Sequence, residues 1–218
     1  MINVAFFVFN AFQENTFLLY DQTGKCVIID AGCYTPDEEK RLSRYIADKK
    51  LTPVLLLNTH GHIDHVLGNR YVMETYSIPL AMHEGEVPVM NATKWYGESM
   101  GFKVAESPQP TRLLKEGDTI TFGKSSLDVL FVPGHSPAHI AFYNQEQQFV
   151  VSGDVLFRES IGRTDLPGGN FDTLINSIQT KLFALNDAVK VYNGHGPHTT
   201  IGHERKHNPI LLNPAYYR

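Results

Sequence analysis

The sequence predicts an α/β fold, an αββα sandwich of two mixed β-sheets flanked by helices. Two observations lead to this prediction. Strand-like runs precede helix-like runs in the first half of the chain, and the second half repeats the same order. Elements in this order bury their apolar faces in layers, with the helices outside the sheets. No low-complexity segment or linker interrupts the 218 residues, so we expect a single domain spanning residues 1–218.

The first half begins with three β-rich runs at residues 2–9, 16–20 and 25–30, separated by turn residues, which predict an antiparallel meander. A helix should follow and continue to about residue 50, because Thr35 can cap it and Pro36 suits its first turn. The other elements expected in this half are strands at 54–57 and 78–82, a helix over about 66–76, and a helical stretch at 85–100.

In the second half, a helix is expected over about residues 172–185, and Thr199 and Thr200 are expected to cap a helix that carries Glu204. Trp95, Tyr96 and Met100, which recur at helical spacings, are expected in the core, with a pocket wall as the alternative. The predicted strands of this half are residues 119–122, 127–132, 139–143, 149–152 and 189–192.

The composition excludes several functional classes. The formal net charge is −4, and no basic block is present, so we expect no nucleic-acid partner. The apolar N-terminal run of residues 1–9 is too short to span a bilayer and lacks the charged start of a signal peptide, so we expect no membrane partner and a cytoplasmic location. Cys26 and Cys33 are then expected to be reduced thiols. The sequence does not indicate an oligomeric state.

Residues 60–65 contain three histidines and one aspartate. An apolar run at 54–57 precedes them and apolar residues at roughly helical spacing follow, so they lie between a strand end and a helix start. Such places bring functional side chains together. Imidazole and carboxylate are ligands that suit zinc, iron and manganese. A polar surface turn is the alternative, but the flanking pattern favours a metal site.

Three strand ends in the second half carry further candidate ligands. His135, Asp154 and His195 each come after an apolar run and directly after a glycine. Glycine lets the backbone turn sharply, so that several loops can crowd around a small ion. Taken singly, each histidine is more typical of a surface residue. As a set with residues 60–65, they predict one common metal site.

This ordered set resembles the metallo-β-lactamase superfamily of hydrolases. The motif carrying the resemblance is His60-x-His62-x-Asp64-His65, followed by His135, Asp154 and His195. The resemblance covers essentially the whole chain and implies an αββα sandwich with the metals at one edge of the two sheets. The segments 152–157, 162–169 and 194–205 look like those of the glyoxalase II-like branch, the hydroxyacylglutathione hydrolases and their short relatives.

The resemblance implies two divalent metal ions as cofactors, zinc in the first place and iron or manganese as alternatives. In an extended segment His60 and His62 project to the same side, whereas the adjacent Asp64 and His65 should point apart, so one loop can serve two ions. Asp30 would lie behind the loop and orient a ligand imidazole. By the resemblance, His60, His62 and His135 would hold the first ion, Asp64, His65 and His195 the second, and Asp154 would bridge them.

Two metals imply hydrolysis by a metal-bridging hydroxide, with the carbonyl polarised by a metal. Asp64 and Asp154, which hold these ions, are accordingly the expected catalytic residues. A thiolate leaves as an anion without a strong acid, so we expect a small-molecule thioester and a thioesterase of glyoxalase II type. A β-lactamase is disfavoured, because lactamases usually carry a different ligand at the Asp154 position, do not use His65 and are exported.

The substrate is the open question. Full-length glyoxalase II proteins bind glutathione partly through a helical C-terminal region, whereas this chain ends soon after residues 205–209. Arg163 falls where those enzymes place a basic residue, but Asp165 replaces the expected aromatic, so glutathione recognition is only partly supported. Two alternatives stay open: a persulfide dioxygenase with a single iron on His60, His135 and Asp154, and a non-catalytic, metal-stabilised binding protein.

The remaining histidines are expected to have structural roles. His139 should brace the loop that carries His135. Residues expected at the surface or as loop supports are His83, His198, His203 and His207.

Overall fold

The structure is a computed structural model that describes residues 1–217, and it confirms the predicted class of two mixed β-sheets flanked by helices. The chain divides into two compact units. Unit 1 comprises Met1–Leu114 and Ile120–Ser126, and unit 2 comprises Lys115–Thr119 and Leu127–Arg218. The single domain over residues 1–218 stays a prediction.

The sheet of unit 1 has six strands in the order β1-β2-β3-β4-β5-β6. The first three strands pair antiparallel, which confirms the meander, and the pairs from β3 onward are parallel. The strands are β1 Asn3–Phe9, β2 Glu14–Tyr20, β3 Lys25–Ile29, β4 Thr52–Leu57, β5 Leu80–His83 and β6 Arg112–Leu114.

The helices of unit 1 pack on one face of this sheet through apolar residues such as Leu42, Ile46 and Val72. Thr35 caps the first helix as predicted, within a capping box completed by Glu38. The predicted helix over 66–76 is broken into two near Gly68. The helices are α1 Pro36–Asp48, α2 Ile63–Val66, α3 Asn69–Tyr76 and α4 Val87–Ser99, the last preceded by a 3-10 turn, Glu84–Glu86.

The core position predicted for Trp95, Tyr96 and Met100 is wrong. Their exposed fractions are 71%, 39% and 44%. The buried residues of α4 are instead Met90, Thr93 and Gly97. A Cβ atom built on Gly97 would fall within 2.9 Å of the Ile63 side chain. This close contact leaves no room for a side chain at Gly97, whereas the aromatic residues Trp95 and Tyr96 remain exposed.

The second sheet has the order β14-β13-β10-β9-β8-β7. Within it β10 and β13 are parallel, whereas β13–β14, β9–β10 and β8–β9 are antiparallel. The strands are β7 Thr119–Phe122, β8 Ser125–Phe131, β9 Ile140–Asn144, β10 Phe149–Gly153, β13 Lys190–Asn193 and β14 Thr199–Thr200, and a separate short hairpin comprises β11 Leu156–Phe157 and β12 Ser160–Ile161.

Unit 2 has its own core, in which Leu174, Ile178 and Leu182 pack with Val150 and Val191. The predicted helix over 172–185 is shorter and ends in a π-helical turn, Ile178–Leu182. The helices are α5 Phe171–Ser177, α6 Ile201–His207 and α7 Pro209–Leu212, followed by a 3-10 turn, Pro214–Tyr216. Among residues 1–217, no helix is long and apolar enough to cross a membrane.

Of the two threonines expected to cap α6, only Thr200 does so. Its hydroxyl accepts a hydrogen bond from the His203 amide. Thr199 lies in β14, and its hydroxyl donates to the buried carboxylate of Glu204.

Candidate metal centre

The histidine loop of unit 1 joins the end of β4 to α2, as the sequence predicts. His60 and His65 are fully buried and His62 is half-buried. The ring centroid of His60 lies 4.7 Å from that of His62 and 4.2 Å from that of His65. The loop therefore brings all three imidazoles together, although they belong to only six residues of chain.

Asp30 fastens this loop from behind. Its Oδ1 accepts the Thr59 amide at 2.7 Å, and its Oδ2 accepts the Thr59 hydroxyl at 2.7 Å. The same Oδ2 lies 3.1 Å from Nδ1 of His65. Asp30 is buried and has a left-handed backbone, with φ of 53°, which Asp tolerates better than most residues. Its assignment as a residue that supports a metal ligand stays a prediction.

The hydrogen-bond partners define the tautomers of two imidazoles. A carboxylate only accepts, so Nδ1 of His65 donates its hydrogen to Asp30. The Thr59 hydroxyl gives its single hydrogen to Asp30, so Thr59 Oγ1, 3.0 Å from Nδ1 of His60, accepts from that ring. In both rings Nε2 then carries the lone pair, which is the form that binds a metal.

The expectation that Asp64 and His65 point apart is wrong. Both lie in α2, where successive side chains are about 100° apart rather than opposed. The Asp64 Oδ2 atom lies 3.6 Å from Nε2 of His65. Asn10 donates to the Asp64 carbonyl at 2.9 Å and anchors the start of this helix to the β1–β2 turn. The two side chains therefore face a common point.

Glu14 is a buried carboxylate that sequence reasoning missed. Its Oε1 lies 3.9 Å from Nδ1 of His65, and its Oε2 accepts the Thr16 hydroxyl at 2.7 Å. Burial raises the pKa of Glu14 well above its usual value, although nearby His65 opposes the shift. In the sequence, Glu14 is visible only as a charged residue just before the β-rich run of residues 16–20.

Unit 2 brings together the three other predicted ligands. The Asp154 Oδ2 atom lies 3.6 Å from Nε2 of His135 and 3.3 Å from Nε2 of His195. The parallel pairing of β10 and β13 places the two strand ends side by side, and the Gly194 amide donates to the Gly153 carbonyl at 2.9 Å. The ends of these segments thus bring all three side chains to one point.

Arg163 contributes through its backbone. Its carbonyl oxygen lies 2.8 Å from Nδ1 of His135 and can only accept, so His135 also carries its lone pair on Nε2. The exposed Arg163 guanidinium forms a bidentate pair with Asp165, at 2.7 Å for both bonds. That hydrogen bonding lowers the pKa of Asp165 to about 2. The backbone role of Arg163 has no signal in the sequence.

Two further residues orient the ligands of unit 2. His139 was expected to brace the His135 loop, and its ring lies 6.0 Å from that of His135. It also accepts the Asp154 amide on Nε2, at 3.2 Å. Asn193, fully buried, donates to the carbonyls of His195 at 2.7 Å and Pro197 at 3.2 Å, closing the loop after β13.

The donor chemistry of both units fits divalent metals. Each unit presents imidazoles beside a carboxylate, and His60, His65 and His135 each have Nδ1 directed to a protein oxygen. That arrangement is typical of metal-binding histidines. Within unit 1, ligand atoms of Asp30, His60 and His65 lie within 4.8 Å of one another. The assignment of each residue to a particular ion stays a prediction.

The residues expected to be structural have structural contacts. Cys26 and Cys33 are buried free thiols, and burial raises the pKa of Cys26 to about 12. His83 accepts the Gly85 amide at 3.0 Å, and His203 pairs with Glu159 at 2.9 Å. Burial also lowers the pKa of His198 to about 4. The ring of His207 packs 4.8 Å from that of His203.

The solved structures that are similar to this chain include the following three. BLEG-1, a B3 metallo-β-lactamase, has a TM-score of 0.87 at 35% identity, covering 97% of this chain and 99% of that one. TTHA1623 in a di-iron-bound form has a TM-score of 0.86 at 37% identity, covering 95% and 100%. ETHE1 from Myxococcus xanthus has a TM-score of 0.77 at 26% identity, covering 98% and 85%.

The sequence relatives point to the same family. The probable metallo-hydrolase YqgX of Bacillus subtilis is 38% identical over 91% of this chain and 92% of its own length. The hydroxyacylglutathione hydrolase GloC of Haemophilus influenzae is 35% identical over 96% and 98%. The family model for the metallo-β-lactamase superfamily matches residues 9–195. The chain therefore belongs to the metallo-β-lactamase superfamily and is a metallo-hydrolase.

Proposed function

We propose that the chain is a binuclear thioester hydrolase of glyoxalase II type. The observation that carries this proposal is the 35% identity to the hydroxyacylglutathione hydrolase GloC, which extends over 98% of that protein. The geometry within each unit supports it, because imidazoles with the metal-binding tautomer stand beside Asp64 in one unit and Asp154 in the other. The di-iron form of TTHA1623 supports a two-metal site.

In this proposal the predicted ligands hold two divalent ions. Zinc is the first choice, and iron or manganese would suit the same donors. The bound metals would supply an activated water as the nucleophile and polarise the scissile carbonyl. The proposed ligands are His60, His62 and His135 for one ion, Asp64, His65 and His195 for the other, and Asp154 for both.

The surrounding residues keep these ligands in place. Asp30 orients His65, the Arg163 carbonyl orients His135, and His139 fixes the Asp154 backbone. Such outer contacts raise ligand basicity and metal affinity. Hydrolysis of a thioester needs no general acid among the remaining side chains, because a thiolate leaves as an anion without being protonated. A small acyl-thiol is therefore the proposed substrate.

Metal analysis with a substrate panel tests the proposal. About two metal ions per chain and turnover of S-lactoylglutathione or another thioester would support it. One iron per chain with oxygen uptake on glutathione persulfide would support the dioxygenase alternative instead, and hydrolysis of a β-lactam without thioester turnover would also contradict the proposal. Metal binding without any turnover would indicate the non-catalytic binding protein.

The variant His65→Ala tests the assignment of ligands. We expect it to lose the second ion and most of the thioesterase activity while keeping part of the first. His203→Ala is the matched control, because His203 lies on α6 and pairs with Glu159. Unchanged metal content in His65→Ala would contradict the assignment.

A further inference from the structure

Glu86 is a fully buried carboxylate placed directly against the histidine loop. It ends the 3-10 turn that precedes α4. Its Oε2 accepts the Gly61 amide at 2.9 Å. Gly61 separates His60 from His62, so this one hydrogen bond holds the backbone between two proposed ligands of the same ion. Neither the histidine motif nor the strand pattern indicates a role for Glu86.

Close backbone packing adds to this contact. A Cβ atom built on Gly61 would lie 2.6 Å from the Met90 nitrogen and 2.7 Å from the Glu86 carbonyl oxygen. Real Cβ atoms do not approach backbone atoms so closely, so only glycine fits between the loop and the start of α4. The loop is therefore held on α4 both by the missing side chain of Gly61 and by the carboxylate of Glu86.

A negative charge on Glu86 would also favour binding of a cation by the adjacent histidines. A buried carboxylate is costly unless its surroundings offset the loss of hydration. A carboxylate in its ionised form accepts an amide hydrogen bond such as that from Gly61 more strongly than a neutral group does. A cation bound by the adjacent histidines would add a favourable interaction with the same charge. The buried carboxylate is therefore better tolerated when the loop binds metal.

We propose that Glu86 is a positioning residue that holds His60 and His62 at metal-binding separation and strengthens binding of the ion they share. The inference rests on the proposed metal site but not on the identity of the substrate. It assigns to the turn before α4 an influence on metal affinity that acts through the backbone of the histidine loop.

Two substitutions separate the geometric from the electrostatic contribution. Glu86→Gln keeps a side-chain oxygen for the Gly61 amide and removes the charge, whereas Glu86→Leu removes both. We expect metal affinity to fall about 10-fold in the first and about 100-fold in the second, the range found when outer contacts of metal ligands are lost. Competition with a chromophoric chelator measures the affinity, and the absorption spectrum of bound Co²⁺ reports the ligand geometry.

Asp21→Asn is the matched control. Asp21 is another buried carboxylate of unit 1, and it accepts hydrogen bonds from Thr23, Lys124 and Ser125. The control should be less stable but bind metal as the wild type does. Equal affinity in the wild type and both Glu86 variants would overturn the inference, as would an equal loss in Asp21→Asn. If Glu86→Leu does not fold, the Glu86→Gln comparison decides.

The wild-type titration separates this inference from the proposed function. If the wild type binds two ions and the Glu86 variants match it, the role of Glu86 is wrong and the metal site stands. If the wild type binds no divalent metal, the proposed function itself fails.

Discussion

Asp30 and His65 form a buried pair in which the Asp30 carboxylate contacts both the His65 imidazole and the backbone of the same loop. Asp30 Oδ2 is 3.1 Å from Nδ1 of His65, while Asp30 Oδ1 accepts the Thr59 amide at 2.7 Å. Orientation of the ring and position of the loop therefore depend on the same side chain. A change at Asp30 should disturb both at once.

We expect Asp30→Asn to lower the affinity for the ion assigned to His65 by roughly 10-fold to 100-fold. Asparagine has one acceptor oxygen in place of two, so it cannot accept both the Thr59 amide and the His65 imidazole, which contact different oxygens of Asp30. Chelator competition measures the loss. Asp48→Asn is the control, because Asp48 is exposed and pairs with Arg44 on α1. Equal affinity in Asp30→Asn and the wild type would show that the pair does not support the metal site.

The lowered pKa of Asp21 predicts that its carboxylate stabilises the folded protein and that this contribution is lost in acid. Burial alone would raise its pKa, but hydrogen bonds from Thr23, the Lys124 amide and Ser125 outweigh burial and lower the pKa to about 2 from 3.8. A lowered carboxyl pKa stabilises the native state above the unfolded value. This contribution should be complete above about pH 5 and should disappear as the pH falls toward 2. Denaturant unfolding at several pH values measures it.

Asp21→Asn should remove this part of the pH dependence. The variant should be less stable than the wild type near neutral pH, and the difference should shrink between about pH 4 and 2. A difference that stays constant over that range would mean that titration of Asp21 is not its source.

Breaking the pair of Arg163 and Asp165 should change the substrate preference. Asp165 is ionised at neutral pH, since its pKa is about 2, and its carboxylate neutralises the exposed guanidinium of Arg163. Asp165→Ala would leave the guanidinium charge available to an anionic thioester. We expect KM for S-lactoylglutathione to fall several-fold, while KM for an uncharged acyl-thiol changes little. The double variant Arg163→Ala/Asp165→Ala should lose this gain; a similar KM decrease for both substrates in Asp165→Ala would contradict the role of charge.

Replacing Asn193 by alanine should lower the stability of the protein, because Asn193 holds the loop that carries His195. Asn193→Ala removes a fully buried side chain that donates to the carbonyls of the half-buried His195 and the exposed Pro197. The loss of these two hydrogen bonds costs about 1–3 kcal/mol of unfolding free energy. Urea denaturation measures the loss. Asn144→Ala is a suitable comparison, because Asn144 accepts the Gln147 amide in a turn of the same unit. A smaller loss in Asn193→Ala than in Asn144→Ala would contradict the prediction.

The sequence was most informative where local pattern determines structure. The histidine loop, the capped start of α1 and the glycine turns before His135, Asp154 and His195 all depend on residues close together in the chain. The contacts of Glu14, Glu86 and Asn193 could not be predicted, because each depends on which distant segments the fold brings together. A buried acid in a sequence is indistinguishable from a solvated one until its partners are known.

The wrong prediction of a core position for Trp95, Tyr96 and Met100 has a related cause. Helical spacing shows which residues share a face, but it does not show which face is buried. The large aromatics Trp95 and Tyr96 suggested one face, whereas the structure buries Met90, Thr93 and Gly97. Close helix packing onto Gly97 decided the outcome, and a glycine carries almost no hydrophobic signal.

The parallel pairing of β10 with β13 also has a consequence for the order in which the proposed metal ligands come together during folding. His60, His62, Asp64 and His65 belong to one short stretch of chain, so a nascent loop can gather them early. Asp154 and His195 are roughly 40 residues apart and meet only after β10 and β13 have paired. Closing the longer loop is slower, because more chain entropy is lost before any contact forms. A folding chain should therefore acquire the ligands of unit 1 before those of unit 2, and metal present during folding should first meet the histidine loop.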